Sequence, residues 1–168
     1  MYHADREIRD KAIIKAILTM CDVITVAFAD GEYPYMVPVN YGFEFDEHLC
    51  FYTHHAIEGY KNKLIEARPK VCVVAYKFVD KVPEGGDKLV HDYRSVMAFG
   101  EMSFIPRESE EYAKAWEVLC SCNSRRVPDA VFEADYQVRL GKIVCLAENV
   151  IGKAQYPIAK VEEVPFNM

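Results

Sequence analysis

Two short runs constrain this chain more than anything else in it. Pro38-Val39-Asn40-Tyr41 lies within an alternating stretch, and Phe51-Tyr52-Thr53-His54-His55-Ala56-Ile57-Glu58-Gly59-Tyr60-Lys61 follows after a short polar turn. Together they predict a strand, a turn, and a second strand whose polar end passes directly into a helix with glycine and lysine at its start. The first turn of such a helix has backbone N–H groups with no intrahelical partner, and the positive end of the helix dipole lies there. An anion fits that position. Gly59 lets a ligand approach the backbone, Lys61 adds a mobile cation, and Thr53 and His54 supply polar side chains at the strand end. Lys61, Lys63 and Arg68 gather positive charge in a chain whose formal net charge is −6. The competing reading is a buried strand followed by a surface helix with Lys61 and Lys63 merely solvated, because a helix-start anion site does not name its ligand.

The rest of the chain reads as strands with flanking helices. Ile13, Ile14, Ile17 and Leu18 recur at helical spacing after Asp5, a plausible cap, and predict an opening helix of roughly three to four turns within 1–21. Val23 to Phe28 predicts a strand, Asp30-Gly31 a turn, and Tyr35 to Phe45 a second strand. Alternation on that strand places Met36, Pro38, Asn40 and Gly42 on one face and Tyr35, Val37, Val39, Tyr41 and Phe43 on the other. Asn40 and the small Gly42 thus share a face that a flat ring could cover. Leu49 to His54 pairs with it through the Asp46-Glu47-His48 turn, and the following helix ends at Arg68 because Pro69 disfavours continuation.

Lys70 to Phe78 is apolar on both faces, the pattern of a strand buried on two sides. Residues 79–92, charged and holding Pro83, Gly85 and Gly86, read as a long loop. Tyr93 to Ile105 predicts a long strand, and Tyr112, Ala115, Trp116, Leu119 and Cys120 mark one face of an amphipathic helix. A short helix over Val131 to Tyr136 is one reading of the segment that follows. Ile143 to Ile151 is expected as the last strand, with a Pro-broken tail over 155–168. No linker or repeat divides residues 1–168, which are expected to form one domain.

Composition excludes several function classes. The acidic balance, without a basic stripe, argues against a nucleic-acid partner, and no apolar run is long enough to span a bilayer as a helix. The first residues lack the pattern of a secretory signal, so a cytoplasmic location is the default expectation. Of six cysteines, Cys50, Cys72 and Cys145 sit in apolar strand-like runs, and Cys120 and Cys122 are too closely spaced for the usual metal or redox pair. His54 and His55 point to opposite faces of a strand and do not chelate one ion together. No metal site is expected. Phosphate-binding loops, dinucleotide fingerprints, nucleophile elbows and His-Glu-x-x-His are all missing from the sequence.

Three separated segments carry a resemblance. Tyr35 to Tyr41, Phe51 to Lys61 with its continuation through Arg68-Pro69-Lys70-Val71-Cys72, and Tyr93 to Gly100 are similar, in that order, to segments of the flavin-binding split β-barrels related to pyridoxamine phosphate oxidase. Within that group the chain most resembles the nitroimidazole-resistance reductase branch, and with Gly152-Lys153-Ala154 the likeness runs to about position 154. The resemblance implies a six-stranded Greek-key split β-barrel, mainly β with flanking helices, that forms a homodimer with FMN at each subunit interface. It implies a phosphate held by Thr53 and Lys61, a flavin ring against Pro38, Val39, Asn40 and Tyr41, and a contribution from the partner's strand carrying Ser95. Tyr52 and His54 complete the implied cofactor neighbours, and Arg68 is a weaker candidate that could simply cap its helix. The chain departs from pyridoxamine phosphate oxidase itself: Tyr35 and Asn40 stand where that enzyme has arginine and lysine, which argues against vitamin oxidation.

Two functions follow from this resemblance. One is an FMN-dependent oxidoreductase that takes electrons from NAD(P)H and reduces a small organic acceptor such as a nitroaromatic, with His54 donating a proton or positioning the acceptor. The other is a non-catalytic protein that holds FMN or haem on the same fold. A ring at His54 that only packs against the cofactor fits either.

Overall fold

Asp10 starts the first helix. In the computed structural model, which describes residues 3–123 and 137–164, the Asp10 carboxylate accepts a hydrogen bond from the Ile13 N–H at 3.0 Å and helix α1 runs over Lys11–Met20. Asp5, the expected cap, lies instead in a 3-10 turn over Ala4–Arg6. A capping carboxylate reaches only the N–H groups two or three positions ahead, which Asp10 satisfies and Asp5 does not. The stripe Ile13, Ile14, Ile17 and Leu18 is buried in the core as its spacing predicts.

Among the described residues, nine strands form one antiparallel sheet. They are β1 (Glu7–Ile8), β2 (Ile24–Phe28), β3 (Tyr35–Val39), β4 (Gly42–Phe45), β5 (Leu49–Ala56), β6 (Lys70–Pro83), β7 (Leu89–Phe104), β8 (Val138–Cys145) and β9 (Val150–Ala154). The hydrogen-bonded path runs β3-β2-β6-β7-β8-β5-β4, with β9 pairing to β1 and β7. Its ends, β3 and β4, are not joined by a ladder, so the sheet is not closed, and the strand count is nine where six were expected.

Two expected strands account for part of that difference. Tyr35 to Phe45 breaks at Asn40-Tyr41, because β3 pairs with β2 while β4 pairs with β5. The stretch expected as one strand over 143–151 is β8 and β9, separated by a 3-10 turn at Ala147–Asn149. Residues 79–92 are not a loop either. They extend β6 and β7 as a ribbon paired from Asp80 with Asp92 to Pro83 with Leu89, after an irregularity between Phe78 and Asp80. Gly85 at φ 92° and Gly86 at φ 57° make the turn at its tip, where the Glu84 N–H donates to the Lys88 carbonyl at 2.9 Å.

Helix α2 covers Tyr60–Ala67 and helix α3 covers Glu110–Cys122. The predicted face of α3, Tyr112, Ala115, Trp116, Leu119 and Cys120, is buried with Tyr52 and Leu140 of the sheet. Gly42 lies beneath it: a Cβ there would stand 2.5 Å from the Val118 carbonyl oxygen. Gly42 is therefore roofed by α3 while Asn40 is exposed, and the two do not share an open face as alternation suggested.

Helix α3 packs on β4, β5 and β8. The outer face of β3, β2, β6, β7 and β9 carries no helix among the described residues. Register sets Pro38, Thr25, Val74, Met97 and Ile151 in one row across that face, with Met36, Ala27, Cys72 and Phe99 beside it. Lys70 to Phe78 is thus buried on one side only. Val71, Val73 and Ala75 face the core, while Tyr76 and Phe78 are 56% and 42% exposed. The expected helix over Val131 to Tyr136 lies outside the described residues.

Candidate functional site

Small and apolar residues on the open face leave a groove of about 810 Å³, lined by Ala27, Cys72, Phe99, Gly100, Val144 and Leu146, with Lys70 and Glu101 paired across neighbouring strands at one end. Helix α2 is tied to the groove's rim. Tyr60 donates its hydroxyl proton to the Asp30 carboxylate, 2.7 and 2.8 Å from the two oxygens, and Arg68 donates to the Ala29 carbonyl at 3.3 Å. Ala29 itself lines the groove.

The start of α2 is open. Gly59 occupies the cap position at φ 152° with no side-chain cap, and a Cβ there would meet nothing within 4 Å. Asn62 fastens the helix to the end of β5 by donating to the Ala56 and Ile57 carbonyls, both at 2.9 Å. Lys61 is half-buried, and loss of water lowers its pKa. Among the described residues no carboxylate pairs with it. A cation partly stripped of water, unpaired, at the positive end of an uncapped helix is the donor set that suits a phosphate.

Next to it, Thr53 is fully buried, with its hydroxyl oxygen 2.7 Å from His55 Nε2 and 3.4 Å from the Gly141 carbonyl oxygen. His55 is buried beside Phe104, with ring centroids 5.7 Å apart. Burial pushes its pKa down to about 3, with Lys61, His54 and Arg139 adding positive charge in the same direction. The two adjacent histidines point to opposite sides as alternation predicts. His54 is exposed on the α3 side, its ring stacked with that of Trp116 at 6.4 Å between centroids.

The remaining candidates fall into separate neighbourhoods. Pro38 is exposed on the open face, and Ser95 is half-buried there with its hydroxyl donating to the Lys153 carbonyl at 3.5 Å. Asn40 donates to the Asp22 carbonyl at 3.2 Å and borders a polar cavity of about 330 Å³ with Tyr41, Cys21 and Asn123. Val39 packs toward the core. Tyr41 is buried and donates to the Leu18 carbonyl at 2.6 Å. Tyr52 lies under α3 and donates to Glu44 at 3.2 Å. Burial first, then nearby thiols and carboxylates, raises the pKa of both phenols. Within one chain the structure sets Thr53 against His55 and Gly141, places Pro38 and Ser95 on the same open face but three strands apart, and puts Tyr52 and His54 together on the α3 side. It adds His55, Cys72 and Phe99, which lie inside the quoted motifs but were not singled out as site residues; the two-sided apolar pattern of Lys70 to Phe78 was the available sign of an outer face needing cover.

The family model described as pyridoxamine 5'-phosphate oxidase matches residues 10–140. The chain belongs to the pyridoxamine 5'-phosphate oxidase family. Its mainly β architecture, with three α-helices among the described residues, is the flavin-binding fold of that family. A protein from Bacteroides thetaiotaomicron assigned to 5-nitroimidazole antibiotic resistance superposes with a TM-score of 0.74 at 26% identity, over 88% of this chain and 86% of that one. A FAD and heme binding protein from Mycobacterium smegmatis gives 0.69 at 16% identity, over 95% and 78% of the two chains. A FAD-binding protein from Mesorhizobium loti gives 0.59 at 24% identity, over 89% and 96%. At those identities the last two show the fold alone. No curated protein matches the chain. Among the described residues, no helix of this family member is long and apolar enough to cross a membrane.

Proposed function

We propose that this protein is an FMN-dependent oxidoreductase that uses electrons from NAD(P)H to reduce a small organic acceptor such as a nitroaromatic. The observation that carries the reading is Lys61, partly desolvated and without a carboxylate partner among the described residues, at the uncapped start of α2 beside an apolar groove. Lys61 and the first-turn N–H groups of α2 would hold the phosphate, with the buried Thr53 behind them. Pro38, Val39, Asn40 and Tyr41 would border the ring. When bound, FMN would supply the redox chemistry. The chain would orient it and keep water from it.

The protein acts as a homodimer. An exposed apolar sheet face of this kind is what a partner subunit covers, and Ser95 of the partner subunit would complete the cofactor's surroundings. His54 is the candidate to place the acceptor or hand it a proton, since imidazole titrates near neutral pH. The likeness to the Bacteroides protein supports the nitroaromatic class of acceptor.

The test is the visible spectrum of freshly purified protein, identification of what denaturation releases, and NAD(P)H consumption with nitroaromatic and quinone acceptors. Released FMN with turnover supports the proposal. A haem band, or bound FMN without turnover for any acceptor, would mean a binding protein on the same fold.

A further inference from the structure

Strand β7 alternates over most of its length. Asp92, Arg94, Val96 and Ala98 are buried, while the residues between and beside them, from Leu89 to Glu101 at every second position, face outward. On that outer side Tyr93 stacks with Tyr76 and His91 meets Phe78 edge to face, with ring centroids 6.3 and 5.5 Å apart. The result is one apolar stripe with unlike ends. Toward Glu101 it runs into the recessed groove beside Cys72 and Phe99. Toward Leu89 it runs out onto the ribbon, which projects: β2 pairs with β6 no further than Ala75, and β9 pairs with β7 only from Arg94 onward.

A two-stranded ribbon with a bare apolar face is marginal by itself, and Leu89 on this one is 58% exposed. Its root is nonetheless fixed, since Asp92 and Arg94 are buried as an ion pair and Val79 packs against the core. The arm is held out in one direction, which lowers the ordering cost of docking. The two ends of the stripe also match in reach. At about 3.3 Å per residue, Leu89 lies on the order of 20 Å from Ser95 along β7, and Glu101 lies the same distance the other way. In a two-fold contact each patch on one side of the axis meets its counterpart from the opposite side of the other subunit. An axis across the strands at Ser95 therefore lays each projecting end in the other subunit's groove, whereas an axis along the strands would set ribbon on ribbon and leave both grooves bare. The face covered in the first way, β6 and β7 with the paired parts of β2 and β9, spans on the order of 600 Å² in plan. That is comparable with the roughly 800 Å² per subunit of a stable dimer.

We propose that the ribbon over 76–93 is an arm that reaches across to a second copy of this chain, where its Leu89 and His91 form one wall of that copy's groove. Each groove is then incomplete without the partner: Cys72, Phe99 and Leu146 of one protomer make its floor, and the partner's Leu89 and the partner's His91 close its open side. This rests on the flavin reading for what the groove holds, but not for the contact itself.

Photocrosslinking of the flavin-free protein tests it. With p-benzoylphenylalanine in place of Leu89, illumination should give a covalent dimer whose linked peptides contain Phe99 to Glu101 or Val144 to Leu146. Links from ribbon to ribbon, or no covalent dimer at concentrations where the protein sediments as a dimer, overturn the inference. So does a parent that is monomeric throughout. Leu89→Lys supplies a second readout: the dimer Kd should rise about 10-fold or more, with the far-ultraviolet circular dichroism of the parent retained. An unaltered Kd would mean that the arm does not dock. Crosslinking into the groove by a protein that takes up no flavin would sink the functional reading and leave the arm standing.

Discussion

Gly42 of β4 and Val118 of α3 meet backbone to backbone, so closely that a Cβ on Gly42 would stand 2.5 Å from the Val118 carbonyl oxygen. This contact lets α3 settle on the sheet and bury Tyr112, Trp116 and Leu119. Gly42→Ala should push the helix outward and cost about 1–3 kcal/mol. A lower urea midpoint at an unchanged slope is the expected result, and an unaltered midpoint would show that α3 does not rest on Gly42.

Lys61→Ala should separate the two ends of the proposed cofactor. Affinity for FMN is expected to fall about 10-fold or more, while affinity for riboflavin, which lacks the phosphate, stays within about 2-fold. Fluorescence titration with both ligands reads the difference. Equal losses would place Lys61 away from the phosphate.

Tyr76 stands on the open face, opposite Ser95 in register and 56% exposed. If that face is the subunit interface, Tyr76→Glu buries an unpaired carboxylate there, and dissociation to monomers follows at concentrations where the parent is dimeric. Sedimentation velocity checks this. A variant that remains dimeric would locate the interface elsewhere.

The low pKa of His55, about 3 against an ordinary 6.5, makes stability depend on pH in one direction. Above the ordinary value neither state holds the extra proton, and the full stability is present. As pH falls below it, the unfolded chain takes up a proton that the folded chain refuses, so stability drops by up to about 1.4 kcal/mol per pH unit. Urea unfolding between about pH 7 and pH 5 should show a steeper decline for the parent than for His55→Asn. Parallel declines would mean that His55 is not held neutral in the fold.

The ribbon made by the ends of β6 and β7 should show slow hydrogen exchange at its paired amides, including Val82 and Val90. A flexible loop would exchange them at once. Mass spectrometry of exchanged peptides distinguishes the two.

The motifs pointed to segments expected to bear chemistry, but not to how those segments assemble. The helix start at Gly59 and Lys61 was legible because the elements that build it are consecutive in the chain. The burial of Thr53 was not, because its hydroxyl is claimed by His55 and the Gly141 carbonyl, the latter 88 positions away in sequence. The ribbon over 79–92 was missed because its charged residues and paired glycines are those of a loop, while ladder bonds between its arms supply the order.

Local patterning alone determined α1, α2, α3, most strands, and the opposite directions of His54 and His55, since each depends on periodicity and on neighbours a few residues apart. Tertiary structure decided the rest: that α3 roofs one half of the sheet, that Gly42 is covered while Pro38 is not, and that His55 is buried between Thr53, Phe104 and Gly141. Those outcomes depend on which distant backbones can approach each other, and side-chain volume at points of contact is not written in the spacing of any one segment.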